Sequence, residues 1–456
     1  MYYTSATQVA FLLPSNTPVG TGTITATYNG NAGPAAPITV VSSNLGIFTV
    51  TSDGQGMGIV TNGDYSLIST TKAANCGGPY TTCGAANPGD TLVLWGTGLG
   101  PVSGSDSAGA GLGVNMPNLP LTLWLGKVQA QVTYNGRSGC CIGEDQIVFV
   151  VPANVPTGCA VPPAVQIGNE VSNYTVMPVA PAGSRTCTPS NSTFTSNLVQ
   201  QITTSSGTIT HGEIDLSRQP NFNAQGQVSG NTDYGKASFI SFTVPAALQP
   251  FIVSYIDDSP AGTCAVYNNL NGGQGNYLAN FNGLDSGPSI KVTGPNGSQT
   301  IPTNGTGQFT LASGTFLSPG AYTFTGTGGA DIGSFTVPFT ISTPPTLTIG
   351  PFLPVTRANG VTITWTGGAA GSIIQIGGNS TDSRGAIGAS FSCFADAGTG
   401  KFVILPSVLL ALPLGSFSGA TWNFQPYAAY GTISASGLNH SAIKMSYTAP
   451  IVTTLQ

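Results

Sequence analysis

His211, Glu213 and Asp215 alternate along the stretch from Thr208 to Leu216. On a strand, alternate residues project from one face, so such a trio could hold a metal ion or carry a proton. The plainer reading is preferred: a solvated strand face, with Ile214 and Leu216 turned inward. The second of the two histidines, His440, closes the turn Gly437-Leu438-Asn439-His440 without an acidic neighbour and reads as a surface residue. Asp257-Asp258 follow the apolar run Phe251 to Ile256, read as a strand, and Asp53-Gly54-Gln55-Gly56 forms another acidic turn. Calcium takes about six to eight oxygen ligands. These clusters are too thin for that, and Asp favours turns for its own hydrogen-bonding reasons.

Gly96-Thr97-Gly98-Leu99-Gly100 has the look of a phosphate loop, but Pro101-Val102-Ser103-Gly104 follows where a helix is required. It reads as a strand bend. Trp95, Trp124, Trp365 and Trp422 could form a sugar-stacking surface, although Trp95 and Trp365 lie in apolar or alternating strands that suit a core. Neither histidine lies near a recognisable nucleophile motif. The chain is therefore read as a non-enzyme with no cofactor and no metal.

Eight cysteines are present: Cys76, Cys83, Cys140, Cys141, Cys159, Cys187, Cys264 and Cys393. An even count in a low-charge, β-rich chain fits disulfides and an oxidising compartment. Zinc would want tighter paired knuckles than the six-residue spacer between Cys76 and Cys83. Cys76–Cys83 is the expected short bridge, and Cys159–Cys187 would staple a domain end. Adjacent Cys140 and Cys141 either bridge each other or pair elsewhere. Cys264–Cys393 is left by elimination, and connectivity stays open at this level.

Composition narrows the classes further. The 456 residues suggest about three domains. Only 6% are charged, with 11 Lys+Arg against 16 Asp+Glu and a net charge of -5, so nucleic acid is excluded as a partner. The longest apolar run, Phe402 to Leu414, is broken by Pro406, Ser407 and Pro413 and is too short to span a membrane. Met1-Tyr2-Tyr3 lacks a basic segment and an apolar stretch, so the start reads as processed, truncated or misassigned.

The elements that must position these residues are nearly all strands. Thr91 to Trp95, Gln146 to Val151, Ala321 to Thr325, Ser334 to Val337 and Val361 to Trp365 are short apolar or alternating runs. Gly, Pro, Asn and Ser clusters separate them. Pro406 to Leu412 is the one helix candidate, with Pro at its start. Gln8 to Gly20 matches Gln146 to Gly158 at a constant offset, with Gln, Phe, Pro, Asn, Pro and Gly recurring. Residues 1–42 thus correspond to the closing half of the domain that ends near residue 180, and the opening half of that copy is missing. Either the chain is a fragment, or another chain supplies the strands.

Residues 43–187 resemble the Solibacter-type C-terminal repeat domain of large secreted acidobacterial proteins. The resemblance rests on Asn44-Leu45-Gly46-Ile47-Phe48-Thr49, Asn87-Pro88-Gly89-Asp90, Leu94 to Val102, Gly143-Glu144-Asp145-Gln146-Ile147, Val151-Pro152, Pro156-Thr157-Gly158 and Ser172-Asn173. Residues 284–450 more loosely resemble a segment that accompanies such proteins, through Thr293 to Gly297, Gly328 to Phe335, Thr364 to Gly368 and Phe391-Ser392-Cys393. The family implies secretion, an immunoglobulin-like β-sandwich and no established catalysis.

The expected architecture is all-β, a tandem of immunoglobulin-like sandwiches. Residues 1–42 form an incomplete repeat, 43–187 a full domain, 188–343 a sandwich entered through the linker Thr188 to Thr193, and 344–456 a last sandwich after Thr343-Pro344-Pro345-Thr346. The expected role is extracellular or at the cell surface: a structural protein, adhesin or filament subunit that pairs strands with other copies of itself. The alternatives are a polysaccharide-binding module and an accessory region of a larger secreted protein.

Overall fold

Alternation along the Asp145–Val150 strand shows why this chain folds as sheets. Asp145, Ile147 and Phe149 are buried, while Gln146, Val148 and Val150 are half-buried. The strand pairs antiparallel with Thr91–Thr97, placing Ile147 opposite Leu94 and Phe149 opposite Leu92. The computed structural model describes residues 3–70, 78, 82–103, 106, 113–190, 208–223, 228–268, 277–303, 308–349, 352–382, 388–414 and 420–456. Strands make up 52% of the described residues and helices 5%.

The first full sandwich is built around an eight-stranded sheet. Its main path runs Glu170–Val171, Pro163–Ile167, Leu121–Leu125, Val128–Arg137, Asp145–Val150, Thr91–Thr97, Gly46–Ile47. Gly158–Val161 and Met177–Val179 form a separate pair. Leu92, Leu94, Leu123, Leu125, Phe149, Val165 and Met177 fill the core between them. The Gly96–Gly100 segment owes its glycines to packing. A Cβ on Gly96 would stand 2.5 Å from the Gly46 carbonyl oxygen, and one on Gly98 2.4 Å from that of Asn44. Backbone approach this close leaves no room for a side chain.

Beyond residue 208 an eleven-stranded sheet dominates. Its main path runs Thr263–Asn268, Gly388–Asp396, Ile373–Thr381, Ala420–Gly431, His440–Tyr447, Thr208–Phe222, Val228–Thr243, Ala279–Gly283. One part packs against the four-stranded sheet of Ser289–Gly294, Gly297–Pro302, Gly320–Gly326 and Phe335–Ile341 around Ile290, Phe324, Ile214 and Met445. The other packs against Thr346–Leu347, Val361–Thr366 and Lys401–Ile404 around Ile363, Ile376, Trp422 and Phe424. The large sheet thus draws strands from both 188–343 and 344–456, and the join expected near residue 343 does not divide it. Cys264 and Cys393 sit directly opposite each other on paired strands and are bridged.

Cys159–Cys187 and Cys140–Cys141 are the other bridges between described residues. Cys83 is also disulfide-bonded. Cys76 lies outside the described residues, as does the linker from Asn191 onward.

The apolar run at 251–256 corrects a sequence reading. It forms a short helix, Ile252–Ile256, instead of a strand. Ile252 and Val253 are fully buried in a small core between the first sandwich and the large sheet, with Cys159, Cys187 and Phe242. Around the helix the Ser254 amide donates to the Phe251 carbonyl and the Asp257 amide to that of Val253, so these backbone groups find local partners. Ser254 adds a hydrogen bond to the Cys159 carbonyl at 2.5 Å. A short apolar run does not by itself distinguish the two forms. Another short helix among the described residues, Pro406–Leu410, appears where Pro at its start predicts it.

Candidate functional site

The Thr208–Phe222 strand turns Ile214 and Leu216 into the core and presents His211, Glu213 and Asp215 on its other face. That face is only half-buried, as the alternation predicts. What the sequence does not reveal is the neighbour on one side. His440–Tyr447 pairs with this strand in parallel, setting His211 opposite His440 and Asp215 opposite Lys444. On the other side Val228–Thr243 sets Lys236 opposite Asp215. A row of alternating charge, Lys236, Asp215, Lys444, therefore crosses three strands.

His440 is not a lone surface turn residue; it is half-buried at the start of its strand. Its Nδ1 lies 2.8 Å from the Nδ1 of His211, and the two rings stack with centroids 4.8 Å apart. One of these nitrogens donates and the other accepts, so the contact requires at least one neutral imidazole.

Lys444 Nζ donates to Glu213 Oε1 at 2.9 Å, and His211 Nε2 stands 4.0 Å from Glu213 Oε2. His211, opposed by burial and aided by Lys444, holds the Glu213 carboxyl at about 2. Asp215 goes the other way. Burial, reinforced by the Glu213 charge, pushes it up to about 6. Burial works against the Lys444 ammonium, yet Glu213, Asp215 and Asp258 together raise it above the ordinary lysine range. Two carboxyls two residues apart thus differ sharply in proton affinity: Glu213 is hydrogen-bonded by its cationic neighbours, whereas burial and the Glu213 charge outweigh the lysines that flank Asp215. The three side chains have different neighbours: His211 faces His440, and Glu213 is held by Lys444.

Beside this face lies a cleft of about 640 Å³ lined by Asp258, Ser372, Ile373, Phe394, Tyr427 and Tyr430, among others. Tyr427 and Tyr430 are three apart, which would put them on opposite faces of a regular strand. A bulge between Tyr427 and Ala429 restores both to the same side, and their ring centroids are 5.1 Å apart. Tyr427 Oη donates to Gln375 Oε1 at 2.8 Å. Burial raises both phenols above their ordinary range, followed for Tyr427 by the nearby carboxylates and for Tyr430 by Tyr427 and then the carboxylates.

The other sequence candidates have structural partners. Asp53 Oδ1 accepts from Thr51 Oγ1 at 2.8 Å and from the Gln55 amide at 3.0 Å, and its Oδ2 accepts from Tyr277 Oη at 3.0 Å. Asp257 Oδ2 accepts from the Ser190 amide at 2.8 Å. Trp95, Trp365 and Trp422 are core residues and Trp124 is half-buried, so the sugar-stacking surface proposed for tryptophan is not an open one. Cys140, Cys141 and Glu144 form the one close group of three metal-ligand types among the described residues, and both thiols of that group are spent on the bridge.

The fold is that of an all-β protein of packed, mainly antiparallel sheets. No protein-family description and no curated protein matches the chain. Among solved structures it is similar to domains 4–9 of the surface layer protein SbsC, at 11% identity and a TM-score of 0.15, over 93% of this chain and 54% of that one. It is also similar to immunoglobulin domains 1–5 of Sidekick-1, at 9% identity and a TM-score of 0.14, over 93% and 84%. An endo-fucoidan hydrolase of glycoside hydrolase family 107 follows at 11% identity and 0.12, over 84% and 44%. The chain spans about half the length of the surface-layer structure. Among the described residues no helix is long and apolar enough to cross a membrane.

Proposed function

We propose that this is an extracellular structural or adhesive protein, without catalytic activity, that assembles by β-strand pairing between chains at residues 1–42. One comparison carries the reading. Ile147, Phe149 and Val151 of the full sandwich are 2%, 0% and 1% exposed, whereas their repeat equivalents Val9, Phe11 and Leu13 are 46%, 45% and 38% exposed. The half copy otherwise keeps the closing half's pairings. Gly20 pairs with Val40 as Gly158 pairs with Val179, and the Thr27–Tyr28 hairpin repeats that of Gln166–Ile167. In the full copy the Asp145–Val150 strand is flanked by Thr91–Thr97 and Val128–Arg137. Among the described residues that set of flanking strands is engaged in its own sandwich.

Val9–Ala10 pairs on one side with Tyr3–Thr4, and an exposed alternating apolar face beside an open strand edge is a template for another chain. The half copy is also held in place. Ser15 Oγ donates to Asp106 Oδ1 at 2.7 Å, and Leu12 packs against Gly143. Export is supported by the disulfides and by the resemblance of residues 43–187 to the acidobacterial repeat domain. The test is light scattering on the intact chain and on Val9→Asp/Phe11→Asp. The expected result is concentration-dependent assembly of the parent and a monomeric variant. A parent that stays monomeric, or equal assembly of both, would overturn the reading.

A further inference from the structure

We propose that His211 and His440 together bind a divalent copper ion, which staples the Thr208–Phe222 strand to the His440–Tyr447 strand. The proposal goes beyond the assembly role and rests on different residues. The chain has two histidines in 456 residues, and the fold brings both to one spot across 229 residues. The site is this pair across two strands, not the trio along one. The two Nδ1 atoms are 2.8 Å apart. With metal–imidazole bonds of about 2.0–2.1 Å, two imidazoles at a right angle stand about 2.8–3.0 Å apart, and two at the tetrahedral angle about 3.3–3.4 Å. The observed separation is therefore the bite of a square-planar or tetragonal centre, the geometry of Cu(II) and Ni(II). Copper is the tighter of the two at nitrogen ligands.

The backbone fixes both ligands. His211 and His440 are register partners in the parallel pairing. Just before them, the Thr210 amide donates to Asn439 Oδ1 at 2.9 Å and the Asn439 amide donates to the Thr210 carbonyl at 3.1 Å. The Glu213 carboxylate lies toward the other nitrogen of His211, with Oε2 4.0 Å from Nε2. A carboxylate there keeps a proton on Nε2 and leaves Nδ1 to face His440, as the outer carboxylates of histidine metal sites do. Lys444 in turn holds Glu213 through Oε1. The His211 side chain is 19% exposed, so solvent reaches the pair and water fills the remaining positions of the ion. In the metal-free chain one Nδ1 donates to the other, and the ion takes the place of that proton. Because the ion binds the folded pairing, it stabilises the sheet by mass action.

The test is titration of the intact chain with Cu(II) at neutral pH in a buffer that does not chelate. One bound Cu(II) per chain is expected, with a tetragonal electron paramagnetic resonance spectrum split by two imidazole nitrogens. Copper should raise the urea midpoint of the parent, and EDTA should reverse the shift. His211→Gln and His440→Gln should each weaken binding at least about tenfold and abolish the copper-dependent shift. Each variant is compared with itself with and without copper, and the parent spectrum needs no variant, so a less stable variant leaves the test intact. No binding, a spectrum without imidazole nitrogens, equal binding after both substitutions, or a parent midpoint indifferent to copper would each overturn the proposal. Tighter binding of Zn(II) than of Cu(II) would overturn the choice of ion.

Discussion

Asp215 and Glu213 share one strand face yet should respond to charge removal with opposite signs. The Asp215 carboxyl is raised from 3.8 to about 6 in the folded chain. The folded state therefore holds its proton more tightly than the unfolded state. The stability this adds is full below pH 3.8 and is lost as pH rises through about 6. At about 1.4 kcal/mol per tenfold change in proton affinity, the ionised group costs about 2–3 kcal/mol at pH 7. Glu213 is lowered from 4.5 to about 2. Its contribution is present above pH 4.5 and is lost as pH falls through about 2. With the side chain 27% exposed, about 2–3 kcal/mol is expected at pH 7 after allowance for screening. Urea unfolding followed by tryptophan fluorescence at pH 7 and pH 4 is the assay. Asp215→Asn should stabilise by about 2–3 kcal/mol at pH 7 and change little at pH 4. Glu213→Gln should destabilise at pH 7 by a similar amount, and less as pH falls below 4.5. The double variant should be non-additive, because the Glu213 charge helps to raise Asp215. Destabilisation by Asp215→Asn at pH 7, or a shift independent of pH, would refute the reasoning.

Other outcomes follow from packing and covalent structure. Phe149→Ala should cost about 3–5 kcal/mol in urea unfolding, whereas the repeat-equivalent Phe11→Ala should cost less than about 1 kcal/mol at concentrations where the chain is monomeric; equal losses would mean the half copy is already covered. Replacing Cys264 and Cys393 by Ala opens a cross-link over 129 residues and should lower stability by about 2–5 kcal/mol, with an unchanged urea midpoint counting against it. Gly96→Ala should destabilise the first sandwich, since its Cβ would meet the Gly46 carbonyl oxygen at 2.5 Å; thermal unfolding reads this directly, and an unchanged midpoint would contradict the close approach.

Legibility in the sequence followed the range of each interaction. Local patterns sufficed for the strands, for the Pro-led helix at 406–410 and for the inward turn of Ile214 and Leu216. The recurrence of Gln8–Gly20 at Gln146–Gly158 exposed the half copy, because equivalent segments keep equivalent turn residues. The helix at 252–256 was hidden, since a run of five residues carries no period that separates helix from strand. The candidate site was half legible. His211, Glu213 and Asp215 share a face by alternation alone, but His440 and Lys444 reach them through a parallel pairing across 229 residues or more. No local pattern announces such a pairing. The bulge that aligns Tyr427 with Tyr430 is likewise set by the neighbouring strand. The sheet that draws strands from both sides of residue 343 was hidden by Thr343-Pro344-Pro345-Thr346, a turn-rich stretch that looks like a domain join and here links the four-stranded sheet to the three-stranded one, both of which pack on the large sheet.

Strand pairing at the half copy is tested most directly by hydrogen–deuterium exchange of the amides at 9–13, read across a range of protein concentrations. The account predicts protection that rises with concentration at these amides, while those at 147–151 stay protected throughout. Fast exchange at 9–13 at every concentration, in a chain whose 147–151 amides are protected, would contradict it.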